Sequence, residues 1–100
     1  MIICRFRVEI QSDKVDEMQT AFEAVVAPSR KVGGVVSFDI GRDVADPNAF
    51  IATEVFEDRD ALDRQEELPE VKRALEVLET AAAGAPEATI FHVESSEPYG

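Results

Sequence analysis

The sequence predicts one α+β domain, residues 1–100, whose elements run strand, helix, strand, strand, helix, strand. Three observations predict it. Apolar residues alternate at strand period in several stretches, recur at helical spacing in two others, and are separated by a glycine pair, an Asp-Pro-Asn triplet and a run of small residues. A length of 100 residues suits one domain, and 45% apolar residues against 31% charged is a globular balance.

The first strand spans Ile2 to Ile10, where Ile2, Cys4, Phe6, Val8 and Ile10 alternate with Arg5, Arg7 and Glu9. Gln11-Ser12-Asp13 breaks the alternation, and Ser12 or Asp13 is the expected helix cap. Val15, Met18, Phe22 and Val25 form the apolar stripe of a helix ending near Ala27 to Arg30. Gly33-Gly34 stops it, and Val36, Phe38 and Ile40 alternate with Ser37, Asp39 and Gly41 in a second strand. Asp46-Pro47-Asn48 is the expected hairpin turn, because proline presets its backbone angle and Asx side chains bond back to the chain. The third strand, Phe50 to Glu57, carries Phe50, Ala52, Glu54 and Phe56 on one face and Ile51, Thr53 and Val55 on the other. Asp58 should cap a helix from Arg59, with a break near Leu68 where Pro69 begins a new turn and Val71, Leu75 and Leu78 mark a buried stripe. Small residues from Ala81 to Pro86 form a loop, Thr89 to Glu94 a last strand, and Ser95 to Gly100 a loose tail.

This order is the split βαβ, ferredoxin-like pattern, with two helices on one face of a four-stranded antiparallel sheet. The other face must meet water or a second layer. The third strand is largely apolar on both sides, and leaving it wet forfeits about 25 cal/mol per Å² of apolar area. The expected cover is a second copy, sheet against sheet.

Composition excludes several function classes. The net charge of −11, from 21 acidic and 10 basic side chains without a basic cluster, argues against nucleic acid. The acid-rich, lysine-poor balance resembles that of proteins from halophilic organisms, or serves solubility alone. No apolar run is long enough to cross a bilayer, and Arg5 interrupts the opening too early for a signal peptide, so the chain reads as cytoplasmic, with no membrane partner. One cysteine and one histidine leave neither an internal disulfide nor a zinc module, and no EF-hand, HExxH or phosphate-loop motif appears.

Several segments then match in order and spacing a family of known proteins. They are Gln11-Ser12-Asp13-Lys14-Val15-Asp16-Glu17-Met18, Ala27-Pro28-Ser29-Arg30 before Gly33-Gly34, Val36-Ser37-Phe38-Asp39 and Arg42-Asp43. Asp46-Pro47-Asn48-Ala49-Phe50, Glu54-Val55-Phe56-Glu57-Asp58 and Ala61-Leu62 continue the match. The chain resembles the antibiotic biosynthesis monooxygenase-like domains, members of the dimeric α+β barrel group. The resemblance implies a barrel-like homodimer with a pocket between sheet and helices in each subunit. It also implies oxygenation of electron-rich phenols, quinols or anthrones without metal, flavin or other cofactor. Such a substrate, once deprotonated, can itself reduce oxygen, so the protein supplies an apolar pocket, a base and donors for the oxyanion. The chain departs from the family where many members carry tryptophan, here Phe56, and helix histidines, here Gln65 and Glu70. The positions of the haem-degrading Asn, Trp and His triad hold Phe6, Phe56 and Leu75, so the resemblance does not extend to haem degradation.

The candidate catalytic residues are Glu54, His92, Gln65 and Arg5; the candidate substrate-binding residues are Phe38, Phe50 and Phe56. Glu54, mid-strand among aromatics, is either a general base with a raised pKa or a structural partner of Arg5 or Arg7. His92 is either a proton shuttle or a surface histidine on the last strand. Gln65 stands where relatives place histidine, and either bonds a substrate carbonyl or lies exposed. The three phenylalanines either wall an aromatic site or fill the core. Asp39 faces solvent or a partner, Cys4 reads as a small buried hydrophobe, and the acidic run Asp63 to Glu70 as a solvated face.

Two functions follow. One is a cofactor-independent monooxygenase acting on a small aromatic such as a quinol, with Glu54 or His92 moving the proton and Gln65 and Arg5 holding the oxyanion. The other is a noncatalytic dimeric binding or stress-response module on the same fold. A closed pocket of roughly 300 Å³ or more in each subunit of a dimer, with Glu54 inside it, favours the first, and a filled core the second.

Overall fold

In the computed structural model, which describes residues 1–100, the alternation at the N-terminus becomes β1 (Ile2–Glu9). Ile10 leaves the ladder and makes an isolated bridge to Ala82. A 3-10 turn, Ser12–Lys14, leads into α1 (Val15–Arg30). Neither Ser12 nor Asp13 caps this helix. The turn winds both residues into itself, closed by Lys14 N–H donating to Gln11 O at 2.8 Å, and Lys14 becomes an N-cap without a side-chain bond. The expected stripe is otherwise in place: Val15, Met18 and Val25 are buried and Phe22 half-buried.

Gly34 ends the connection with φ +89°, a conformation that favours glycine. β2 (Val35–Asp43) and β3 (Asp46–Phe56) then form a hairpin turning at Val44-Ala45, two residues before the expected turn. Asp43 fixes that position, since its Oδ1 accepts from Ala45 N–H at 2.9 Å and its Oδ2 from Arg7 Nη1 at 2.7 Å. The Asp46 Asx bond does form, from Asn48 N–H at 3.1 Å, but inside β3. A bulge between Val35 and Ser37 also breaks the expected alternation, leaving Val36 53% exposed while Phe38 turns inward.

Asp58 caps α2 (Arg59–Glu66), accepting from Ala61 N–H at 2.9 Å. Leu68 adopts an extended conformation and Pro69 opens α3 (Pro69–Ala81), so the break falls where expected. The buried stripe of α3 is Ala74, Val77, Leu78 and Ala81; Leu75, expected inside, is 54% exposed. β4 (Glu87–His92) runs two residues earlier than expected.

The strands order as β2-β3-β1-β4, all antiparallel, which is the ferredoxin-like arrangement. The helices cover one face. Val8, Met18, Val25, Phe38, Phe50, Val77 and Leu78 belong to the main core, and Ile2, Phe56, Ala61 and Leu62 form a smaller one under α2. Across the uncovered face the ladders align Phe91, Ile3 and Val55 in one row and Thr89, Arg5, Thr53 and Asp39 in the next. No helix is long and apolar enough to cross a membrane.

Candidate functional site

The register on the helix-facing side brings the site together. Cys4 lies across from Glu54 and Glu54 across from Phe38; the next row is Phe6, Ala52 and Ile40. Ala52 is small, which leaves space beneath the helices there. The result is a cavity of about 300 Å³. Its floor is Cys4, Phe6, Ile40, Ala52 and Glu54, and its roof is Phe22 and Val25 of α1, Leu62 and Gln65 of α2, and Val71, Ala74 and Leu78 of α3. The exposed Glu66, Leu75 and Ala88 complete the lining.

Glu54 is the one carboxylate on the floor. Burial pushes its pKa from 4.5 up to about 7, and the neighbouring Glu66 charge adds to the rise. No opposing charge or hydrogen bond acts against the rise. Around neutrality its carboxyl therefore exists in both protonation states, as a general base requires. Cys4 beside it is also raised, by burial first and then by Glu54 and Glu66, which keeps the thiol protonated and a poor nucleophile.

Gln65 is buried, and its Nε2 lies 3.0 Å from Ser29 Oγ, itself wholly buried on the last turn of α1. This bond ties α2 to α1 and leaves the other end of the amide to face the cavity. Turning the amide over preserves the contact with the hydroxyl as donor, so the cavity meets either an amide acceptor or an amide donor.

Of the candidate catalytic and substrate-binding residues, Glu54 and Gln65 meet in this cavity and the others do not. Arg5 pairs with Thr53 and Thr89 on the uncovered face, behind the sheet. Its alternative role as a partner of Glu54 fails for the same reason, and Arg7 is committed to Asp43. His92 is exposed at the end of β4, opposite Ile2, and is not part of the lining. Phe38 packs into the main core, Phe56 into the small core with Ile2, Ala61 and Leu62, and Phe50 faces a separate groove. The aromatic wall is instead Phe6 and Phe22, edge to face at 6.5 Å. Both stand in the apolar periodicities of the first strand and first helix, but only the packing of α1 over Ala52 shows that they border a space rather than fill one. No group of three or more His, Cys, Asp or Glu side chains converges as a metal site.

A model of the family described as antibiotic biosynthesis monooxygenase matches residues 1–77. The chain belongs to the antibiotic biosynthesis monooxygenase family. The matched span ends within α3, so it holds every cavity residue of β1, α1, β2, β3 and α2. Solved structures share the family fold. A candidate antibiotic biosynthesis monooxygenase from Nitrosomonas europaea superposes with a TM-score of 0.88 at 18% identity, covering 95% of this chain and 100% of its own. Another, from Deinococcus radiodurans, gives 0.88 at 16% identity over 100% and 99% of the two chains. A conserved protein from Methanosarcina mazei gives 0.83 at 17% identity over 90% and 89%. At these identities the likeness is one of fold. Among curated proteins none matches this chain.

Proposed function

We propose that this chain is a cofactor-independent monooxygenase acting on a small electron-rich phenol, such as a quinol, in the Glu54 cavity. The observation that carries this reading is Glu54 itself, an unpaired carboxyl with a pKa of about 7 on the floor of a predominantly apolar cavity. A carboxylate so placed removes the phenolic proton, and the resulting phenolate is electron-rich enough to reduce oxygen. One oxygen atom then enters the ring as a carbonyl and the other leaves as water, so a phenol and dioxygen give a quinone and water in balance. Apolar walls of Phe6, Phe22, Leu62, Val71 and Leu78 seat the ring and exclude water, which strengthens each polar contact inside. Gln65, held by Ser29, orients the substrate oxygen. In this reading two copies pair through their uncovered sheet faces, with the Phe91, Ile3 and Val55 row at the centre.

A second reading, a dimeric binding module without catalysis, is favoured by one observation: the lining contains no cation and no imidazole to hold an oxyanion. Oxygen uptake by chelator-treated protein, with a panel of reduced quinols and anthrones, separates the two. Uptake above the autoxidation blank that falls in Glu54→Gln supports the enzyme with Glu54 as base. Stoichiometric binding of the same compounds without uptake supports the module.

A further inference from the structure

We propose that the groove beside Arg42 is a second subsite of the Glu54 cavity, and that its guanidinium binds the carbonyl of an elongated phenolic ligand. The inference rests on the reading of the Glu54 cavity as a phenol site. A separate space of about 290 Å³ lies between α1 and the β2–β3 hairpin, lined by Phe22, Val26, Ile40, Arg42, Phe50 and Glu23 among others. Phe22 and Ile40 are walls of both spaces, so the two are neighbours with one partition.

Strand geometry sets their separation. Glu54, Ala52 and Phe50 point to the same side at successive steps of two residues, so the Phe50 row lies roughly 13 Å along β3 from Glu54. Ala52, between them, leaves room above the floor. Phe22 is half-buried and touches both neighbours edge to face, Phe6 at 6.5 Å and Phe50 at 5.1 Å, so its ring forms the partition between the two spaces.

Arg42 pairs with Phe50 in the ladder and holds its guanidinium 5.3 Å from the centre of that ring. Arg7 and Arg30 are committed to carboxylates at 2.7 and 3.0 Å, whereas the nearest acid to Arg42, the fully exposed Asp16, stands at 4.0 Å. A planar, permanently charged fork of N–H donors is therefore parked over an aromatic face with its hydrogen bonds unspent. Glu23 shares the rim, and the chain carries a net charge of −11, so the favoured acceptor is a neutral carbonyl and not a carboxylate. The ligand class that satisfies both ends is a fused or linked aromatic with a phenolic hydroxyl at one end and a ketone at the other.

The test is a fluorescence titration with three naphthols: 2-naphthol, 6-acetyl-2-naphthol and 6-hydroxy-2-naphthoate. The acetyl compound should bind about tenfold tighter than 2-naphthol, the worth of one hydrogen bond to a charged donor. That ratio should fall close to one in Arg42→Met, a change at an exposed position on an edge strand, and the naphthoate should gain nothing over 2-naphthol. A ratio unchanged in Arg42→Met, or a naphthoate bound as tightly as the ketone, overturns the proposal. If 2-naphthol binds and the acetyl group adds no affinity, the subsite alone falls. If 2-naphthol does not bind, the reading of the Glu54 cavity falls and the subsite with it.

Discussion

Cys4 lies directly across the β1–β3 ladder from Glu54, so a thiol and a carboxyl share the floor of one apolar cavity. Burial raises the pKa of both, and the Glu54 charge is the next largest influence on the thiol. Alkylation of Cys4 by iodoacetamide at a pH near 8 should therefore be slower than for a free cysteine. In Glu54→Gln one source of repulsion is gone while burial remains, so the rate should rise about two- to threefold and stay below the free value. Equal rates in the two proteins would remove Glu54 from the neighbourhood of the thiol.

The same carboxyl makes stability depend on pH. Its folded pKa of about 7 lies above the ordinary 4.5, so the folded state binds the proton more tightly than the unfolded one. The contribution is complete below 4.5 and is lost as pH rises through 7. Each pH unit between the two values is worth about 1.4 kcal/mol, which sets a ceiling of about 3 kcal/mol that partial solvent contact lowers. Glu54→Gln should flatten urea stability between about pH 5 and 8 and leave the variant the more stable protein at the upper end. A variant with the same pH slope as the parent would contradict the burial of this group.

The strand and helix order was legible in the sequence, because burial on one face imposes a period of two on strands and 3.6 on helices, whereas the face of β3 that meets the helices was not, since both its faces are largely apolar. Punctuation was less so. The hairpin turned at Val44-Ala45 because Arg7, far away in sequence, holds Asp43. The bulge at Val36 shifts a register that alternation alone cannot count. In the site, Glu54 was readable as a carboxyl out of place in an apolar strand face. The aromatic wall was not, since Phe38, Phe50 and Phe56 share its period and only tertiary packing separates residues that fill space from those that border it. Ser29 stood only within the matching Ala27-Pro28-Ser29-Arg30 segment, a polar residue near a helix end with no role until Gln65 is seen against it.

Gly34 is a steric hinge between β2 and α2. Its φ is +89°, and a Cβ added there would stand 2.6 Å from Ala61 Cβ and 3.1 Å from Arg64 Nη2. Gly34→Ala thus combines backbone strain with a clash against a buried helix residue, and α2 must move away from the sheet. The expected cost is about 2 to 4 kcal/mol in urea denaturation. Gly33→Ala, where the added atom meets nothing within 4 Å, serves as the control and should cost less than about 1 kcal/mol.

The proposed pairing of sheet faces places Val55 inside the interface, in the row with Ile3 and with Phe91, which is 50% exposed in the isolated chain. Val55→Glu introduces a charge that the mirrored position in the second copy repeats, so each dimer gains two desolvated like charges. Sedimentation equilibrium should show a dimer for the parent and a weakening of at least about a hundredfold for the variant, with helix content unchanged. A parent chain that sediments as a monomer at high concentration would remove the homodimer.

Ser29 and Gln65 test whether the roof of the cavity is held by one bond. Both are buried, and their contact at 3.0 Å is the hydrogen bond between α1 and α2. Removing one partner strands the other in an apolar setting, so Ser29→Ala and Gln65→Leu should each cost about 1 to 3 kcal/mol. Replacing both removes the stranded group along with the bond, and the double variant should lose less than the two single losses added together, by about 1 kcal/mol or more. The cavity supplies an independent readout. In Ser29→Ala the Gln65 amide is free to turn, so phenol affinity should fall about threefold to tenfold, while the same ring without its hydroxyl, which offers the amide nothing to bond, should bind as before. Equal losses for the phenol and the bare ring would mean that Ser29 shapes the cavity without orienting Gln65.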